Sequence, residues 1–449
     1  MSPLAHFLVH FAFFYTCVEG LVINILYPAK LPFIYKDLIL LFVYILVLLP
    51  NLERVLNPPP LARTLTGTLA LFIGLLLVYI LVPSPTSLLS ELVAVKQRIF
   101  YMPLLIVGYY FVRSGDDLKR LLTAMAVYAI GVSLFGIYLF FAGPAGLQRL
   151  GGSYAAVFYT PTGASDVSVW RVPGTFTSSG QYGAYLSFNA IAIAALLTIP
   201  RIGRWTRIVA GVAMVLVILA MLASGSRASL IVASASLSLA FLMSGRIARM
   251  GLWGIALYTV LAYGFVVLGP GVQDRFDSIA SAEHVTRFQR TYFGQLFLSP
   301  LLENPLGAGL GVATIGARHF SEFYQVVLME SYFGILAVEM GWPGLLAFFS
   351  VVLAIVALVV RNRTMMARAP EGLLWLGLVG YVLLVVLLMP VSTSIDHAPS
   401  NFYFWFSVGA LVRMIELEHW RQWAITTGAQ PEWIATGEEQ EPTPAAASG

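Results

Sequence analysis

Apolar runs of about twenty residues recur from one end of this chain to the other, and that recurrence limits what it can fold into. A helix of about 20 residues crosses the hydrocarbon core, and in lipid every backbone N–H and C=O must find its partner within the chain. The runs lie near 4–26, 32–50, 65–83, 99–112, 121–142, 180–200, 206–223, 228–244, 251–269, 331–360, 372–390 and 400–415. The predicted class is therefore an all-α integral membrane protein of about twelve transmembrane helices. Composition excludes the main alternative: 11% of the 449 residues are charged, where a soluble domain carries roughly a quarter. The lone Cys17 has no partner for an intrachain disulfide and sits inside an apolar run.

The first run has no basic segment before it and no small-residue cleavage pattern, and it contains Glu19 and Asn24. It is predicted to be a retained span rather than a signal peptide. With twelve crossings both termini share one side. Lys and Arg concentrate in short cytoplasmic loops, and a cytoplasmic N-terminus puts fifteen of the 26 basic residues inside, among them Arg54, Arg63, Arg113, Lys119 and Arg120. Four of the other eleven, Arg275, Arg287, Arg290 and Arg318, share one long external loop, where that bias weakens. The net charge of +4 is thus a matter of topology, and no nucleic-acid partner is expected.

The predicted membrane domain covers 1–429. Two external segments, about 143–179 and about 270–330, exceed the length of simple connectors, and long loops of this kind are usually functional. The second lies between spans nine and ten and mixes charged residues with aromatics before a Pro/Gly-rich turn. Residues 430–449 are acidic and rich in Pro and Ala, a composition that cannot bury enough apolar surface to fold, so a disordered cytoplasmic tail is expected.

Several polar residues stand out at the outer face. Arg227, in Ser224-Gly225-Ser226-Arg227-Ala228-Ser229, sits between two apolar runs with no hydrophilic loop around it. Placing Arg within a span costs about 2.5–3.5 kcal/mol, so it faces a cavity with a partner or snorkels to the interface. Arg287 and Arg290 fall at i, i+3, on one face if the loop is helical there, or they form surface pairs with Glu283 or Asp277. Guanidinium groups suit phosphate because their planar forks donate paired hydrogen bonds. Glu330 opens the tenth span and Glu339 follows nine residues later; a carboxylate there is either a general base toward a sugar hydroxyl or dipole compensation at a helix start.

The six histidines, including His284, His319 and His397, are dispersed. His6 and His10 are spaced i, i+4 but lack a neighbouring acidic ligand in sequence, so no metal is assigned. No phosphate-binding Gly-rich loop precedes a helix, and Gly307-Ala308-Gly309-Leu310-Gly311 follows a Pro and is expected to be a turn. No cofactor is expected.

Taken in order, these pieces resemble the O-antigen ligase and polymerase superfamily of bacterial envelope glycosyltransferases. Arg171-Val172-Pro173-Gly174-Thr175-Phe176, leading into a small-residue span at Gln181-Tyr182-Gly183, is similar to that family's R-x-x-G-x-F segment. Ser224–Ala228 resembles its S-R-[GA] turn. Arg287 and Arg290 before Glu303-Asn304-Pro305-Leu306-Gly307-Ala308-Gly309 resemble its Arg-bearing loop helix and P-x-x-G-x-G turn, and Glu330 to Gly344 its H-N-x-Y-L…E-x-G-x-x-G element. The likeness is strongest over about 170–345. It implies a metal-independent enzyme of the bacterial inner membrane that takes a glycan from undecaprenyl pyrophosphate at the periplasmic face and passes it to a hydroxyl of an acceptor glycan or lipid. The partners implied are that lipid-linked glycan, the acceptor, the bilayer and other envelope polysaccharide assembly proteins.

By the same resemblance Arg227, with Arg290 or Arg287, holds the pyrophosphate, and Arg171 contributes to the substrate site. His319, whose surroundings do not match the motif, is a further substrate-site candidate and the alternative base from the loop. The chain departs from the pattern at Glu330, which stands where the ligases carry His. This places a polymerase of lipid-linked repeat units at least level with a ligase. A twelve-span transporter is the contrasting class; it calls for polar residues at the membrane midplane, and Glu19 and Asn24 are the few candidates. A non-catalytic scaffold for envelope assembly is the third.

Overall fold

The computed structural model describes residues 1–26, 32–148, 171–199, 202–243, 247–269, 272–273, 297–314, 316–317, 329, 331–369, 372–390 and 392–427. These residues are helical and loop, with no strand among them. Helices α1 (Pro3–Ile25), α2 (Pro32–Leu48), α3 (Leu52–Leu56) and α4 (Arg63–Tyr79) open the chain. They are followed by α5 (Leu88–Ile99), α6 (Leu104–Phe111), α7 (Gly115–Gln148) and α8 (Ser179–Leu197). Next come α9 (Arg204–Ser224), α10 (Arg227–Met243), α11 (Ile247–Leu268) and a short α12 (Ser299–Glu303). The chain closes on α13 (Tyr332–Arg368), α14 (Gly372–Leu388) and α15 (Ser400–Thr427).

Six helical stretches among the described residues are long and apolar enough to cross a membrane: Pro3–Ile23, Tyr35–Leu56, Leu88–Phe111, Gly115–Gly143, Arg204–Ser224 and Tyr332–Arg368. Their outward faces carry large apolar side chains, including Phe7 and Phe14 on α1, Phe42 on α2, Phe141 on α7 and Leu346 on α13. In water such a surface would aggregate; facing lipid tails it costs nothing. The molecule is a multi-pass, all-α membrane protein. Helix also lies over every one of the twelve apolar stretches.

Helix α8 forms the centre. From Tyr182 to Leu196 every residue is buried, and α7, α9, α10 and α14 pack around it. A helix that is apolar on all sides belongs in the interior of a bundle. The small residues of such a helix let neighbours approach closely, which is how helices associate where lipid offers no hydrophobic drive. The same device joins α6 to α15: a Cβ on Gly409 would lie 1.7 Å from the Leu105 carbonyl oxygen, so only Gly fits that crossing.

Three boundaries differ from the sequence expectation. The fourth span begins at Leu88 rather than 99, because α5 is an amphipathic helix whose Glu91, Lys96, Gln97 and Arg98 lower its hydropathy. Helix α7 continues past 143 to Gln148 across a break at Gly143 (φ 63°, ψ −167°). Helix α15 runs to Thr427, beyond the apolar stretch, and Arg413–Glu416 and Arg421–Glu418 pair at i, i+3 across and past the end of that stretch. The expected tail at 430–449 and most of the two expected external segments lie outside the described residues.

Short connections make sequence neighbours antiparallel, so the bundle has an upper end, holding Thr175, Gly225, Ser331 and Asp396, and a lower end, holding Pro3, Arg113 and Gly203.

Candidate functional site

The upper end of α8 gathers two of the sequence-predicted segments. Residues 171–178 lie between α1 and α8: Leu21 N–H donates to the Thr175 carbonyl at 2.9 Å, and the Thr175 hydroxyl donates to the Cys17 carbonyl at 2.5 Å. Phe176 packs on Tyr185 with ring centroids 5.0 Å apart, and the Ser178 hydroxyl caps α8 by accepting from Gln181 N–H at 3.2 Å. This segment is thus fixed by backbone bonds and ring packing, and it carries Arg171, half-buried, at its start.

The second segment is the α9–α10 turn. Helix α9 stops at Ser224 because Gly225 takes the left-handed conformation (φ 62°), a backbone region that favours Gly, and Gly225 N–H closes the turn on the Leu222 carbonyl at 3.0 Å. The Ser226 and Ser229 hydroxyls are 2.7 Å apart and buried, and the Ser187 hydroxyl of α8 donates to the Ser229 carbonyl at 3.1 Å. Arg227 is therefore the first residue of α10, half-buried, and held by a turn of only two residues. Tyr182 lies against Gly174 and its neighbour Gly183 lies against Ser226. Consecutive residues of α8 thus bring the Arg171 and Arg227 segments to the same end of the bundle. Glu330, Arg287, Arg290 and His319 lie outside the described residues.

Between α5 and α13 the structure builds an ionic cluster that the sequence reading did not assemble. Arg98 of α5 and Glu339 of α13 pair at 2.6 Å with both side chains fully buried. The other Glu339 oxygen accepts from Ala313 N–H at 2.8 Å, Thr314 N–H at 2.7 Å and the Thr314 hydroxyl at 2.9 Å. A buried charge needs this degree of satisfaction, since an unpaired one costs several kcal/mol. The predicted 307–311 turn is what Glu339 holds. Ala308 and Gly309 N–H groups donate to the Val338 and Glu339 carbonyls, and the Tyr79 hydroxyl donates to those of Leu306 and Met340. Helix α13 breaks next to this contact at Gly341 (φ 57°, ψ −149°), where a Cβ would meet the Pro305 carbonyl at 2.1 Å.

Asp396 lies close to Arg98 and Glu339, on the 3-10 turn Ser394–Asp396 that packs against α8, α13, α14 and α15. Gln97 anchors this turn by donating to the Asp396 carbonyl at 3.0 Å. Burial pushes the Asp396 carboxyl up to about 7, with the Arg98 charge pulling the other way and Glu339 adding to the rise. Next to it, burial and then the Lys36 charge hold the half-buried His397 imidazole down to about 4. Lys36 itself pairs with Glu19 at 2.8 Å, so Glu19 belongs to a satisfied pair at the upper end, two residues from the Leu21 bond to Thr175.

Sequence reasoning missed Arg98, Lys36 and Asp396. For Arg98 a signal existed: an arginine eleven residues into the helix Leu88–Phe111 is costly unless paired. For Asp396 none did, because its charged neighbours Arg98 and Glu339 come from distant parts of the chain. No family model matches this chain, and no curated protein matches it.

Proposed function

We propose that this protein is a membrane glycosyltransferase of the bacterial inner membrane. It crosses the bilayer twelve times with its N-terminus in the cytoplasm, and it polymerises undecaprenyl-pyrophosphate-linked repeat units of a surface polysaccharide at the periplasmic face. The observation that carries the proposal is Arg227: a half-buried arginine opening α10 straight after a two-residue turn, at the end of α8 that also bears the Arg171 segment. A guanidinium there, at the positive end of a helix, suits a pyrophosphate presented at the membrane surface.

The chemistry needs two things from the protein. The acceptor hydroxyl oxygen attacks the anomeric carbon, the bond from that carbon to the pyrophosphate oxygen breaks, and undecaprenyl pyrophosphate leaves with the electron pair. Arg227, with Arg290 or Arg287 from the loop, stabilises that leaving anion as it develops, while Arg171 and His319 bind the substrate. A carboxylate takes the hydroxyl proton. Glu330 fills that place by its register in the motif.

The test is glycan profiling in a deletion strain complemented with wild type, Arg227→Ala or Glu330→Gln, with membrane levels checked and lipid-linked intermediates extracted. Single repeat units accumulating on the lipid carrier with Arg227→Ala support a polymerase. Full-length lipid-linked polymer that never reaches an acceptor makes the enzyme a ligase. Normal glycans from a fully inserted Arg227→Ala protein sink the proposal in favour of a scaffold or transporter. Loss of transfer in Glu330→Gln without a lower protein level assigns the base to Glu330.

A further inference from the structure

At the opposite, lower end of the bundle a cleft of about 370 Å³ opens between the start of α1, the end of α6 and the start of α7. That volume falls within the range of ligand sites, roughly 300–1,000 Å³. His6, His10, Arg113, Asp117 and Arg120 line it together with Phe7 and Phe111. No step of the proposed glycosyl transfer uses them.

The walls are built rather than incidental. Phe111 packs against both imidazoles, at 4.7 Å from the His6 ring and 5.6 Å from the His10 ring, which sets their planes. Asp117 is buried and accepts from the Arg113 backbone N–H at 3.2 Å, from Nε at 3.3 Å and from Nη2 at 3.4 Å, so the Arg113 fork is oriented while half of its side chain stays exposed. Arg120, one turn further along α7, is exposed at the cleft. His6 Nε2 is enclosed and makes no hydrogen bond among the described residues. Two arginines face one aspartate, so the cleft carries net positive charge even with both histidines neutral.

From this cleft an aromatic track runs along the outside of α1. Phe7, Phe11 and Phe14 are 63%, 39% and 42% exposed and are spaced four and three residues apart, on one helix face. A cationic pocket that continues into an apolar track along a bilayer-crossing helix matches an amphiphile with an anionic head, and basic pockets between transmembrane helices commonly bind phosphate headgroups. We infer that this cleft binds the phosphodiester headgroup of an anionic phospholipid, with an acyl chain lying along Phe7, Phe11 and Phe14. A soluble phosphorylated molecule would share the headgroup contacts but has no use for the track.

The experiment uses the full-length protein purified in an uncharged detergent and titrated separately with phosphatidylglycerol, phosphatidylcholine and millimolar inorganic phosphate, reading bound lipid by native mass spectrometry and Tm by intrinsic fluorescence. Phosphatidylglycerol is expected to bind saturably and raise Tm, because a ligand that binds only the folded state stabilises it; the other two are expected to leave Tm unchanged. Arg120→Gln, which removes an exposed side chain with little risk to folding, is expected to weaken phosphatidylglycerol binding about fivefold, the effect of one basic residue near an anionic headgroup. Arg204→Gln, at the start of α9 on the same end, should change nothing. Equal binding of phosphatidylcholine, an unchanged affinity in Arg120→Gln, or an equal loss in Arg204→Gln would each overturn the inference. Protection by inorganic phosphate as strong as that by phosphatidylglycerol would replace the lipid with a soluble phosphate ligand.

Discussion

Substituting Glu339 by Gln tests whether the Arg98–Glu339 pair holds the upper end together. The amide oxygen can keep all three loop contacts, from Ala313 N–H, Thr314 N–H and the Thr314 hydroxyl. The amide nitrogen then replaces the oxygen that stood 2.6 Å from Arg98 Nη2, so a donor meets a donor and a fully buried guanidinium loses its counter-charge. Removing one partner of a buried pair costs about 3–5 kcal/mol, most of it the penalty on the charge left behind. Size and loop hydrogen bonds are unchanged, so the whole loss is electrostatic. The double variant Arg98→Met/Glu339→Gln removes both charges of the pair and keeps the loop bonds; it should regain about 2 kcal/mol or more of the loss, a coupling that contacting residues show and distant ones do not. The assay is equilibrium unfolding in mixed micelles with rising SDS, followed by tryptophan fluorescence, for wild type, both single variants and the double. A Glu339→Gln protein within about 1 kcal/mol of wild type, or a double variant whose loss equals the sum of the singles, refutes the reasoning.

Two other outcomes follow from particular residues. Because the folded protein holds the Asp396 proton up to about pH 7 and the unfolded chain releases it near the ordinary 3.8, the folded state binds more protons between those values; stability should fall as pH rises from about 4 to about 7 and level off above, by at most about 4 kcal/mol. Unfolding curves at several pH values should show that slope in wild type and lose it in Asp396→Asn. Cys17 is 1% exposed and donates to the Phe13 carbonyl, so maleimide should label it only after SDS denaturation, and rapid labelling of the native protein in membranes would contradict its burial between α1 and α15.

The helical class was legible because it depends on run length and hydropathy, which are local. The 307–311 turn was legible because Gly at close intervals after a Pro has few other uses. The start of α5 was not, since its charged face lowers hydropathy and its partners on α2, α13 and the 3-10 turn are what make that face tolerable. The long i, i+3 pairs that extend α15 past its apolar stretch were hidden in the same way: hydropathy reads the lipid, and those residues answer to one another.

For the candidate site the division is sharper. The sequence alone determined a multi-pass helical membrane protein and singled out Arg227 by its position between two apolar runs, because the cost of an arginine there is set by the membrane whatever the rest of the chain does. Only the tertiary structure decided that Arg98, Glu339 and Asp396 meet, that residues 171–176 and 224–229 share the first turns of α8, and that His6, His10, Arg113 and Arg120 surround one cleft. Those contacts join residues tens to hundreds of positions apart, and charges that look isolated along the chain become affordable in lipid only once packing supplies their partners.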